Sequence, residues 1–216
     1  EKFLIFASEK EVRFTKLLKF IVPTYLTSLF NTVYTIIDGI FVSTYVGTNA
    51  LASINIVYPI VNVLTGIALV FATGGSSVTA LYIGGNRKKE ADRSFSASSF
   101  AAILLDARFP DDSYESLSNS DHTGATPVTI ACKTYARWWL LAAPVVIGKE
   151  LFTYFIRVDG APTYSFITAL SGGILNIVLD YILVGQMQMG IYGAALATIL
   201  GLVCHFLWEF IILSIN

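Results

Sequence analysis

The sequence predicts an all-α integral membrane protein, and the prediction rests on how its apolar residues are distributed. Of the 216 residues 55% are hydrophobic and only 13% charged, at a mean hydropathy of +0.66, far too apolar for an ordinary soluble domain. The charges are gathered into short polar stretches, and the uncharged runs between them reach the roughly 20 residues that a helix needs to cross a bilayer. The lipid bilayer is therefore the first expected partner. A net charge of -1, segregated in this way, argues against a nucleic-acid partner.

Residues 1–16, EKFLIFASEKEVRFTK, lack the basic, apolar and small-residue order of a leader, so we expect no cleaved signal peptide and read them as a cytoplasmic N-terminal segment. The transmembrane lobe follows over 17–216. Its first helix is predicted at about 17–46 and carries only Lys19 and Asp38 as charges; Pro23 inside it removes a backbone donor and should kink it. The second helix, about 50–84, is uncharged. Its Ala72, Ser76, Ala80 and Gly84 recur every four residues and line one face with small side chains that let another helix approach closely.

The third segment, 94–105, is expected to be incomplete, because at 1.5 Å per residue it reaches only about 18 Å of a ~30 Å hydrocarbon layer. A polar insert, 106–126, interrupts it with Asp106, Asp111, Asp112, Glu115 and Asp121, and reads as an exposed or disordered loop that includes His122. The fourth helix is predicted at 127–156, with Trp138 and Trp139 as interface anchors and Pro144 as a kink. Its adjacent Lys149 and Glu150 should point to different sides as near-interface charges. The fifth and sixth helices are expected at 163–184 and 191–213. Gly193, Ala197 and Gly201 give the sixth a small-residue face, His205 reads as structural, and Glu209 should reach the interface.

Basic residues orient the lobe. Lys10, Arg13, Lys16 and Lys19 precede the first helix, Arg87, Lys88, Lys89 and Arg93 follow the second as a solvated loop, and Arg157 follows the fourth, which places the N-terminus in the cytoplasm. Cys132 and Cys204 belong to no metal-ligand spacing and read as packing residues at different depths. No nucleophile–base pair, phosphate loop or metal motif argues for an enzyme, and no cofactor is expected.

Against this apolar background a few polar groups stand out. Measured from the outer helix ends, Asp38, Asn176 and Thr198 each lie about 12 Å deep and Asp180 about 6 Å. Two carboxylates, an amide oxygen and a hydroxyl at similar depth can supply hard oxygen ligands to a small cation such as Na+. They can equally hold a proton, since burial and a second nearby carboxylate both favour the protonated acid. The structural alternative is that each Asp only hydrogen-bonds a neighbouring helix.

Three stretches carry a family resemblance: DGIFVSTYVGTNALASINIVYP after the first helix, RVDGAP between the fourth and fifth, and LNIVLDYILVGQMQMGIYGAALAT across the fifth and sixth. They resemble the MATE (multidrug and toxic compound extrusion) transporters, most closely the MepA-like branch, over about 14–95 and 124–201. The resemblance implies a six-helix N-terminal lobe of a two-lobed antiporter that exports small cationic or amphipathic compounds against a proton or sodium gradient in the cell membrane. It also implies that Asp38, Asn176, Asp180 and Thr198 bind the coupling H+ or Na+, that Tyr135 hydrogen-bonds beside them, and that the first helix bends at Pro23. A second lobe, in trans or from a homodimer, is expected to be needed for activity. The alternatives are a non-transporting fragment, a disrupted copy or an edited sequence, and a lipid-linked oligosaccharide flippase of the same superfamily.

Overall fold

Residues that ordinary helical backbone cannot use cut the chain into helices. The computed structural model describes residues 14–106 and 126–215. Helix α1 (Phe14–Phe41) widens without a break into a π-helical turn, Val42–Val46, closed by the Gly47 N–H on the Val42 carbonyl at 3.0 Å. Gly47 itself sits at φ 108°, a conformation that disfavours any side chain, and α2 (Thr48–Gly84) starts immediately after it. A turn through Asn86 leads to α3 (Lys88–Asp106).

Helix α4 (Pro127–Val158) opens with a defined cap: the Thr126 side chain accepts the Thr129 N–H at 3.3 Å, and Pro127 fills a first-turn position whose N–H would be orphaned anyway. Asp159 and Gly160 end it. Helix α5 (Pro162–Leu179) passes into a second π turn, Asp180–Gln186, and α6 (Gly190–Ile215) completes the described chain. Among the described residues, five helical spans are long and apolar enough to cross a membrane: 17–46, 48–84, 127–158, 162–186 and 190–214.

The third segment differs from the sequence expectation. It is helical from Lys88 to Asp106 rather than over 94–105, so most of the basic stretch lies on the helix instead of in a loop. Charged residues are good helix formers, and the first turn is secured by Arg87, whose guanidinium bonds Glu90 at 3.0 Å and holds that carboxyl below its ordinary range. At 1.5 Å per residue the helix reaches about 28 Å, yet its polar first half keeps it out of the spanning set. The acidic insert with His122 lies outside the described residues, apart from Asp106 at the end of α3 and the capping Thr126.

Helix α4 is the hub. In its most apolar 18-residue window 56% of residues are buried, against 6% in α1, which presents Leu17, Ile21, Leu29, Val33, Ile36 and Ile40 outward. Helices α2 and α6 flank α4, α5 lies between α6 and α1, and α3 packs on α2 and α4. Ala72 and Ser76 of the expected small-residue stripe are buried, and the neighbouring Gly75 faces Ser98 of α3 with no room for a side chain. Phe95 then pins α3 to α4 through an edge-on contact with Phe155 at 4.7 Å. Gly193, Ala197 and Gly201 are all buried, and Gly201 meets Gly172 so closely that a methyl on Gly201 would lie 2.8 Å from the Gly172 carbonyl oxygen. Both helices therefore touch backbone to backbone where the polar residues gather.

Candidate cation site

Both carboxylates predicted from the sequence sit where a helix changes its winding. Asp38 lies in the last turn of α1 ahead of the Val42–Val46 π turn, and Asp180 is the first residue of the Asp180–Gln186 π turn. Such widened turns bring extra side chains to one face and recur at functional sites. Helix packing does the rest. Asp38 is 8% exposed and Asp180 fully buried, and the two carboxyl groups lie within electrostatic reach of each other although they are far apart in the sequence.

The surroundings leave these acids unsatisfied. Oδ1 of Asp38 and both carboxyl oxygens of Asp180 are buried with no hydrogen-bond partner, and so are Oδ1 and Nδ2 of Asn176. Buried polar atoms are nearly always paired, and an unpaired one forfeits roughly 1–3 kcal/mol. A cluster of orphaned acceptors on three neighbouring side chains is what a proton or a small hard cation would satisfy. Thr198 adds an oxygen: its hydroxyl donates to the Ala194 carbonyl at 3.0 Å, which leaves lone pairs free to accept or coordinate.

Tyr135 of α4 is 2% exposed and within electrostatic reach of both aspartates. Two further tyrosines, Tyr34 on α1 and Tyr58 on α2, are also within electrostatic reach of Asp38, so phenols of three helices neighbour it. Tyr34 was within reach of a sequence reading, since it precedes Asp38 by one helical turn. Pro23 lies within an unbroken α1, where the Thr27 hydroxyl bonds its carbonyl at 2.9 Å.

Beside the acids a small cleft of about 20 Å3 opens between α1, α4, α5 and α6. Its polar lining is Asn31, Tyr34, Lys149, Asn176, Thr198 and His205. The predicted set is thus divided: Asn176 and Thr198 form cleft wall, whereas Asp38, Asp180 and Tyr135 are buried next to it. Small residues make the space, because Gly172, Gly173 and Gly201 bring bare backbone to its floor.

Lys149 and Glu150 depart from the expectation of separate near-interface charges. They pair with each other, their side chains only 12% and 15% exposed. Successive residues are turned by about 100° around a helix, but these side chains are long enough to bend together, and the interior rewards the pairing. Glu209 departs as well. It is fully buried rather than at an interface, because it accepts a hydrogen bond from Thr153 at 2.7 Å and pairs with His205 at 3.1 Å.

Comparison with known proteins bears on the fold. Residues 23–109 match the family model described as MatE. Multidrug export protein MepA of Staphylococcus saprophyticus is 28% identical over 192 residues, covering 88% of this chain and 43% of the relative. A MOP-superfamily transporter from Pyrococcus furiosus superposes with a TM-score of 0.84 at 26% identity, over 92% of this chain and 44% of that one. An outward-facing multidrug resistance MATE family transporter superposes equally well, with the same identity and the same coverage. The chain spans less than half the length of the relatives it matches.

Proposed function

We propose that this chain, in sequence and fold one lobe of a MATE-type transporter, is the ion-coupling part of an antiporter that exports small cationic or amphipathic compounds at the cell membrane. One observation carries the reading: the orphaned acceptors of Asp38, Asn176 and Asp180 beside an open cleft. Binding of H+ or Na+ would satisfy them, and release would leave them unpaired again, so the ion's arrival and departure can bias how the helices pack. Helix α1 is the element best placed to respond. It is the least buried span, carries Asp38 near one end, and holds Pro23 as a weakened point near the other.

If the coupling ion is Na+, the oxygens of Asp38, Asn176, Asp180 and Thr198 would hold it; if it is H+, the two carboxylates would share it, with Tyr135 alongside. Alternating access works between two lobes, and this chain supplies one. We therefore place the transport unit in an assembly with a second lobe in trans or with a second copy of the chain. The N-terminus and Arg87–Lys89 are assigned to the cytoplasmic side by the excess of basic residues there.

The test is reconstitution of the chain in vesicles, alone and together with a second lobe from a full-length relative, under an imposed proton or sodium gradient. We expect the paired assembly to drive uptake of a cationic dye, and Asp38→Asn or Asp180→Asn to reduce it at least about tenfold by removing the titrating group while keeping the shape. The chain alone should transport little. Robust uptake by the chain alone, lost in Asp180→Asn, would show that a second copy serves as the other lobe. Undiminished gradient-driven uptake in both variants would remove the carboxylates from the mechanism.

A further inference from the structure

The lobe contains a second buried acid that the aspartate centre does not use. Glu209 lies on α6 about 16 Å beyond Thr198, counting 1.5 Å per residue, and so far from Asp180 in depth. Its Oε1 accepts the Thr153 hydroxyl at 2.7 Å and lies 3.1 Å from His205 Nε2, while Oε2 is buried with no partner. His205 lines the cleft and Glu209 sits behind it. The imidazole thus stands between the open space and the sealed carboxylate on this helix.

Other charges face the pair from the helices packed against it. Helix α4 contributes Lys149, Glu150 and Arg157, all in electrostatic contact with Glu209 or His205. Tyr154 lies under the Arg157 guanidinium at 5.4 Å, Tyr34 of α1 reaches Lys149, and α5 contributes Ser165, whose hydroxyl accepts from Arg157 at 3.2 Å. With His205 neutral, the two cations Lys149 and Arg157 balance the two carboxylates Glu150 and Glu209. Lys149 and Glu150 already hold each other, and Arg157 has a hydrogen bond to Ser165. The unpartnered Oε2 and the ring of His205 are what remain able to accept a proton.

We propose that Glu209 and His205, steadied by Thr153, form a second proton-binding site that exchanges its proton with the cleft through the imidazole. A proton arriving from the cleft adds to the ring, and Nε2–H then donates to Glu209 Oε1; the same proton leaves by the reverse path. The pair is a carboxylate against an imidazole, joined by one buried charge-assisted hydrogen bond, which suits a proton and offers too few oxygens for a metal cation. The site stands without the coupled-export reading, because occupancy by a proton can be read in a chain that transports nothing.

The test uses the full chain in lipid nanodiscs with His122→Gln, so that His205 is the remaining one of the two histidines. Its ring nitrogen signals are followed by NMR from about pH 4 to 10, a range that brackets an ordinary imidazole. We expect a single protonation transition, moved by about one pH unit or more in Glu209→Gln, moved less in Thr153→Val, and unmoved in Asp180→Asn. A ring signal that stays flat across the range, or a transition indifferent to Glu209→Gln, overturns the site. A shift in Asp180→Asn as large as that in Glu209→Gln overturns its independence from the aspartate centre. Should Glu209→Gln not fold, Thr153→Val decides, because it removes a hydrogen bond to Oε1 and keeps the shape: an unmoved transition then refutes the proposal.

Discussion

The two buried polar centres of this lobe are built on opposite plans. Around Asp38 and Asp180 the protein gathers acids, an amide and phenols, and leaves three of the four carboxyl oxygens and the amide without partners. Around Lys149, Glu150, Thr153, His205 and Glu209 it alternates donors with acceptors and closes most of them on one another. The paired centre is tied to α4, the most buried helix, and helps hold α6 against it. The acid centre straddles the ends of α1 and α5, where both helices unwind into π turns. A fold can leave buried acceptors open where an ion completes them, and it must pair them where they hold helices together.

This contrast can be broken by stability measurements. The largest effect is expected at the paired centre: Lys149→Met strands the Glu150 carboxylate in the interior and should cost about 3 kcal/mol, while Lys149→Met with Glu150→Gln recovers most of it. Reversible denaturant unfolding in mixed micelles measures both, and a loss below about 1 kcal/mol would mean a pair that behaves like a surface contact.

An intermediate effect is expected where the centres share a floor. In Gly201→Ala the added methyl would lie 2.8 Å from the Gly172 carbonyl oxygen and 2.9 Å from the Asn176 Cβ, so α5 and α6 must part. We expect a loss of about 1–3 kcal/mol, the range for overpacking a tight contact, seen as a lowered unfolding midpoint. An unchanged midpoint would show that these helices can separate freely and that the glycine contact does not position Asn176.

The smallest effect on stability belongs to the acid centre. Asp180→Asn replaces a carboxyl group with two unpartnered oxygens by a neutral group of the same shape, so the unfolding free energy should stay within about 1 kcal/mol of wild type. A loss comparable to that of Lys149→Met would make Asp180 a structural residue and erase the distinction between the two centres.

The centres also differed in how they could be read. Asp38, Asn176 and Asp180 interrupt long apolar runs, and depth along a helix follows from residue number alone, so their shared level was visible before any packing was known. Lys149, Glu150 and Glu209 have longer side chains, which ordinarily carry a charge from near a helix end to water, and they were read accordingly. What cancelled that escape was the position of α4 at the centre of the lobe, with α6 against it. The α3 boundary was missed for a local reason: its polar first turns look like a loop to a reading that looks for apolar runs, although their helix propensity is good.

By itself the sequence determined that the chain is a helical membrane protein, where its apolar spans lie, which small-residue faces let them approach, and that Asp38 and Asp180 interrupt two of those spans. These follow from the cost of leaving backbone and charge unsatisfied in hydrocarbon, which acts residue by residue along the chain. Only the tertiary structure decided that Asp38 and Asp180 come within electrostatic reach of each other, that Asn176 and Thr198 wall a cleft while the acids sit behind it, and that Glu209 is sealed against His205 and Thr153. Those outcomes depend on which helix faces which, and that is fixed by close contacts between residues far apart in the chain, such as Gly172 with Gly201 and Phe95 with Phe155.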